Sequence, residues 1–84
     1  MFDVLLERGA ERDLRRLPEP IHVRLVRAIN ELSRNPRPRG CRKLSGSKND
    51  WRIRVGDYRV IYEIADANQI VRVNRVRHRR EAYR

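Results

Sequence analysis

The stretch that decides the fold is Trp51-Arg52-Ile53-Arg54-Val55-Gly56-Asp57-Tyr58-Arg59-Val60-Ile61-Tyr62-Glu63-Ile64-Ala65. Trp51, Ile53 and Val55 alternate with Arg52 and Arg54, the period of two that marks a strand with one covered face. Gly56-Asp57 separates this run from the next and reads as a two-residue hairpin turn, with glycine first favouring type II′ over I′. The next run, Tyr58–Ala65, places Tyr58, Val60, Tyr62 and Ile64 on one face. Asp66-Ala67-Asn68-Gln69 is a second turn, and residues 70–76 form a third strand. The tail, 77–84, is basic and is either half-helical or appended to the sheet.

Upstream the period changes to that of a helix. Asn35-Pro36-Arg37-Pro38-Arg39-Gly40 is a loop, because two prolines and a glycine leave little else. Before it, Ile21, Leu25, Ala28, Ile29 and Leu32 keep helical spacing, and Pro20 suits the first turn of that helix. Ala10, Leu14 and Leu17 mark an earlier helix that starts after Gly9 and ends at Pro18. Residues 2–6 are a short apolar strand. Helices adjacent in sequence followed by consecutive hairpins predict an α+β fold. The expectation is one small domain over 1–84: an N-terminal strand and a helical hairpin packed on a mostly antiparallel four-stranded sheet.

The 84 residues allow one domain and a small core. Hydrophobic residues make up 39% and charged residues 38%, with a net charge of +10. Arginine supplies 19 of the 21 basic residues, and its planar fork suits phosphate better than a lysine point charge. Residues 1–34 carry seven basic and six acidic side chains; residues 35–84 carry fourteen and five. The excess therefore lies in the loop, sheet and tail, and points there to a polyanion: nucleic acid first, an acidic protein second.

Other classes fall away. No apolar run approaches 18 residues, so no membrane span or membrane partner is expected. The N-terminus has acids and no small-residue cleavage site, unlike a signal peptide. Cys41 is alone, and His22 and His78 lack metal-ligand spacing, so no metal and no cofactor are expected. The expected location is the reducing cytoplasm.

If Trp51, Ile53 and Val55 pack inward, Arg52 and Arg54 point outward together. Arg59 joins them from the next strand, and Arg75, Arg77, Arg79 and Arg80 from the end of the third. Guanidinium groups converging on one open face each hold a phosphate bidentately, whereas a solvated basic face would leave like charges repelling side by side. Trp51, Tyr58 and Tyr62 keep step with the buried face and belong to the core. Tyr83 lies in the polar tail, where it either stacks on an exposed base or plugs the sheet end. His78, flanked by Arg77 and Arg79, has its imidazolium disfavoured by neighbouring cations, which leaves a neutral imidazole as a base.

Lys43-Leu44-Ser45-Gly46, the Trp51 to Ile64 segment, and Val76-Arg77-His78-Arg79-Arg80-Glu81-Ala82-Tyr83 together resemble the RelE/ParE toxin superfamily. The likeness is closest to the RelE branch of bacterial and archaeal type II toxin–antitoxin systems and runs along the whole chain. It implies a RelE-like microbial RNase fold and a ribosome-dependent, metal-independent endoribonuclease that cuts messenger RNA in the A site. The ribose 2′-hydroxyl would attack the adjacent phosphate, leaving a 2′,3′-cyclic phosphate and a 5′-hydroxyl. By this resemblance Arg59, Arg79 and Tyr83 match catalytic positions, and the base is His78 or Tyr83, with His78 preferred on pKa matching. Arg52 and Arg54 stand where well-known members have lysines, and with Lys43, Arg77 and Arg80 they form the expected RNA- and phosphate-binding set. Arginine effectively cannot lose its proton, so Arg52 and Arg54 can neutralise a phosphorane but cannot act as bases. Implied partners are a cognate antitoxin, the ribosome and messenger RNA, in a hetero-oligomeric complex that binds operator DNA through the antitoxin. The alternatives are a ParE-like gyrase-inhibiting toxin and a non-catalytic module that binds RNA or antitoxin.

Overall fold

The computed structural model describes residues 1–82. Five strands form one sheet: β1 (Asp3–Leu6), β2 (Arg42–Lys43), β3 (Asp50–Val55), β4 (Tyr58–Ala65) and β5 (Ile70–His78). Their spatial order is β1-β5-β4-β3-β2. β2 to β5 pair antiparallel, while β1 runs parallel to β5 and matches Asp3 with Ile70 through Leu6 with Val73. The expected hairpin is present: Val55 faces Tyr58, and Gly56 alone of the two turn residues has positive φ, at 59°. That is the II′ pattern. The sheet has five strands rather than four because Arg42–Lys43 adds a two-residue edge beside β3. A strand that short carries no alternation for a sequence pattern to reveal.

Two helices cover one face, α1 (Arg8–Arg15) and α2 (Glu19–Glu31), and a single turn of helix, α3 (Arg79–Ala82), follows β5. Ala10 and Leu14 from α1, and Leu25 and Ile29 from α2, meet Ile53, Val60, Tyr62, Ile64, Val71, Val73 and Val76 in the core. These strand residues lie opposite one another across the sheet, so a single face is buried, as the alternation predicts. Gly9 lies inside α1 instead of interrupting it. A Cβ there would stand 2.9 Å from Arg75 Cδ, so the missing side chain lets Arg75 cross the helix backbone.

β5 departs from simple alternation. Tyr62 pairs with Val73 and Ile61 with Arg75, leaving Asn74 as an extra residue in a bulge. The bulge shifts the phase by one residue. Val71 and Val73 face the core before it, and Val76 faces the core after it. Arg77 is thereby placed on the face away from the helices, while the Arg75 side chain reaches α1 at Gly9 and Asp13.

The loop after α2 is fastened at two points. The buried Tyr62 hydroxyl donates to the Pro36 carbonyl at 2.7 Å. Arg37 donates to both carboxylate oxygens of Asp66, at 2.8 and 3.1 Å, and its guanidinium lies 5.1 Å from the Trp51 ring centroid. This pairing holds the Asp66 carboxyl below its ordinary value. No helix of the described residues is long and apolar enough to cross a membrane.

Candidate functional site

Cross-strand register places the site residues. Residues directly opposite in a sheet share a face, so Arg54, Arg59 and Arg77 form one row on the face that carries no helix. Arg42, Arg52, Ile61 and Arg75 form the next. At the end of the first row the chain turns into α3. The Arg79 backbone N–H donates to the Asp57 carbonyl at 2.8 Å, which ties α3 to the β3–β4 turn. Arg54 Nε donates to the Gly56 carbonyl of the same turn at 3.3 Å. Arg54, Arg59, Arg79 and Arg80 consequently line one cleft of about 300 Å³.

Four guanidinium groups around one small space provide planar N–H forks that match the oxygens of a phosphate. They also place fixed positive charge where a phosphoryl centre would accumulate negative charge in an in-line displacement. Arg77 borders the cleft in the same row, and its Nη1 lies 3.4 Å from Glu81. Among the expected site residues the structure thus brings together Arg54, Arg59, Arg79 and Arg80, with Arg52 and Arg77 in adjoining positions on the same face.

Three of the expected residues lie away from this cleft. His78 pairs in register with Tyr58, on the face opposite Arg59 and Arg77. Its ring meets that of Tyr58 edge-on at 5.1 Å, and the two line a separate groove with Arg80 and Glu81. The His78 Nδ1 accepts the Arg80 backbone N–H at 3.2 Å. Lys43 lies opposite Trp51, on the helix-bearing side; Arg42, one residue earlier, lies opposite Arg52 on the arginine face. Arg75 does not join the cleft. It donates to Asp13 from Nε at 2.9 Å and from Nη2 at 3.1 Å. Tyr83 lies outside the described residues.

Asp13, Arg39 and Arg42 were not anticipated. The Asp13 carboxylate also accepts the Val76 backbone N–H at 2.8 Å, on the edge of β5 beyond the last β1 partner. Burial pushes the Asp13 carboxyl up, but hydrogen bonds from Arg75 and Val76 and the charges of Arg75 and Arg77 hold it below its ordinary value. No local pattern announces this contact, since 62 residues separate Asp13 and Arg75. Arg42 carries no local signal either, because a two-residue strand shows no alternation.

Fold and cleft together define a small basic α+β domain whose open sheet face ends in a guanidinium-lined cavity. Residues 4–83 match the family model described as the ParE toxin of type II toxin-antitoxin system, parDE. The chain belongs to this toxin family, in its RelE-type form. It is 39% identical over 87 residues to the toxin RelG of Mycobacterium tuberculosis, spanning 99% of this chain and 97% of that protein. Its structure is similar to the toxin–antitoxin complex RelBE2 of Mycobacterium tuberculosis, with a TM-score of 0.81 and 33% identity over 92% of this chain and 96% of the other. The archaeal RelE–RelB complex of Pyrococcus horikoshii OT3 gives a TM-score of 0.83 at 26% identity, over 93% and 94% of the two chains.

Proposed function

We propose that this toxin is an endoribonuclease that cuts messenger RNA in the ribosomal A site, in the cytoplasm, and that a cognate antitoxin neutralises it. The observation that carries this reading is the meeting of Arg54, Arg59, Arg79 and Arg80 in one cleft. In the proposed reaction the 2′-hydroxyl oxygen bonds to the adjacent phosphorus as the bond to the 5′-oxygen breaks. The 2′-hydroxyl loses a proton, the 5′-oxygen gains one, and no metal is required. The arginines hold the non-bridging oxygens and stabilise the charge of the pentacoordinate phosphorane. His78 sits beside this cleft rather than in it, so the chain's main contribution is electrostatic and positional. The antitoxin would cover the same basic face with a segment that folds on binding, and would itself carry the complex to operator DNA.

The test is induction followed by mapping of 5′ ends on ribosome-bound messages. Codon-phased cuts are expected from the wild type. Arg59→Ala should lower the cleavage rate about 100- to 1000-fold, the effect of deleting one preorganised charge donor. His78→Ala should lower it less than about 10-fold; equal losses in the two variants would restore His78 to the chemistry. Intact messages accompanied by DNA damage would overturn the nuclease reading in favour of gyrase as the target. Intact messages without growth arrest would leave a binding module.

A further inference from the structure

A second cleft adjoins the first. It measures about 590 Å³ and shares Arg54 and Arg59 with the first cleft as common lining. Arg39, Arg42 and Arg52 extend the guanidinium lining towards the β2 edge, and Glu31 of α2 lines it as well. Arg42 and Arg52 lie directly opposite one another, as do Arg54 and Arg59, so like charges sit side by side in two successive rows. Such placement costs stability unless an anion lies between the charges.

Other arginines of the sheet and its loops are neutralised locally. Arg37, Arg72, Arg75 and Arg77 each meet a carboxylate. Among the described residues, the side chains of Arg39, Arg42 and Arg52 form no ion pair and no hydrogen bond. Nor are these groups on a floppy segment. The loop that carries Arg39 is fixed by the Arg37–Asp66 pair and the Tyr62–Pro36 hydrogen bond, and Arg42 is fixed by its pairing to β3. The fold therefore fixes the backbone of three residues whose guanidinium groups form no ion pair or hydrogen bond among the described residues, in a space that shares Arg54 and Arg59 with the proposed phosphate site. Apolar walls from Ile53 and Val55 leave room there for a nucleoside as well.

We propose that Arg39, Arg42 and Arg52 form a second phosphate subsite, which grips the RNA linkage next to the one that is cut. This inference rests on the nuclease reading and specifies its substrate: a strand bound over two consecutive phosphates. Arg52 adjoins the proposed reaction site, whereas Arg39 and Arg42 serve binding alone. Arg39 and Arg42 bind the flanking linkage without touching the reacting atoms, so their removal weakens substrate capture and spares the chemical step.

The test uses the full chain and message-programmed ribosomes. For the Arg39→Ala/Arg42→Ala double variant, KM should rise about 10-fold with kcat within about 2-fold. The salt slope of log KM should flatten by about 0.7, the share of a single phosphate on a single strand. Arg15→Ala/Arg16→Ala removes the same charge from α1 and should change neither. A message with a neutral methylphosphonate one linkage to either side of the cut separates message from ribosomal RNA as the anion. At one of the two positions the neutral linkage should raise KM for the wild type and leave the double variant unaffected. Unchanged KM in the double variant, an equal rise in the α1 control, or additive effects at both linkages would overturn the subsite while leaving the nuclease intact. A loss of kcat matching that of Arg59→Ala would instead place these arginines in the chemistry and overturn their binding-only role. Failure of the wild type to cut any message would overturn the nuclease reading itself. Loss of affinity for an acidic antitoxin peptide, with KM for message unchanged, would assign the second cleft to the protein partner.

Discussion

Asp13 accepts three hydrogen bonds, two from the Arg75 guanidinium and one from the Val76 amide. Its side chain is 14% exposed, so water competes weakly for these donors. The contact fastens α1 to the β5 edge just where β1 ends, and it withdraws Arg75 from the arginine face. Because the folded carboxyl is held below its ordinary value of 3.8, it stabilises the fold above that pH and loses the effect as pH falls through the lowered value. Asp13→Asn should cost about 1–3 kcal/mol at pH 7, from the buried donors left poorly paired. In urea titrations the gap between wild type and variant should narrow at pH 3. A gap of equal size at both pH values would mean that the carboxylate charge contributes nothing.

At the scale of elements, the bulge in β5 decides which side chains the site receives. In an unbroken strand continuing from Val73, residues 75 and 77 would face the core and residue 76 would face outward. With Asn74 as the extra residue, Val76 is buried and Arg77 stands beside Arg59. Val76→Arg should therefore abolish cooperative folding, because it buries an unpaired charge. Arg77→Val should leave a folded protein with stability within about 1 kcal/mol, as expected for a half-exposed surface position. Thermal melts followed by circular dichroism distinguish the two, and the reverse order of damage would refute the bulged register. The β3–β4 hairpin works similarly on a smaller scale. Its turn accepts hydrogen bonds from Arg54 Nε and the Arg79 amide and so sets the width of the arginine cleft.

For the whole molecule, the charge is arranged as one weakly charged half and one strongly basic half. Helices α1 and α2, which cover one side of the sheet, and the edge strand β1 carry nearly balanced charge; the excess sits on the uncovered side and at the β2 and α3 ends. Self-repulsion of these groups opposes folding, so added salt should raise the melting temperature from its low-salt value. Short-chain polyphosphate should raise it further. At about 100 times its Kd a ligand adds about 2.7 kcal/mol, and each kcal/mol is worth about 4–8 °C in a domain of this size. Arg54→Ala/Arg59→Ala should lose most of the polyphosphate increment and keep the sodium chloride increment. If both increments survive, the anion binds elsewhere.

The sequence by itself determined the longer elements and the apolar faces of α2, β3 and β4. Alternation in Trp51-Arg52-Ile53-Arg54-Val55 and Tyr58–Ala65, the helical spacing from Ile21 to Leu32, and the Gly56-Asp57 turn are local signals, and each is present in the fold. The lopsided distribution of arginine was equally local. Only the tertiary structure decided which arginines meet. Arg75 and Arg77 differ by two positions, yet one is drawn away by Asp13 of α1 and the other lies in the row of Arg59. His78 and Lys43 fall on the opposite face from the cleft, and Arg42 takes the place expected of Lys43, because a one-residue change of register reverses every side chain after it. Register is set by pairing with strands distant in sequence and by packing over the sheet, and neither is written in a window of a few residues.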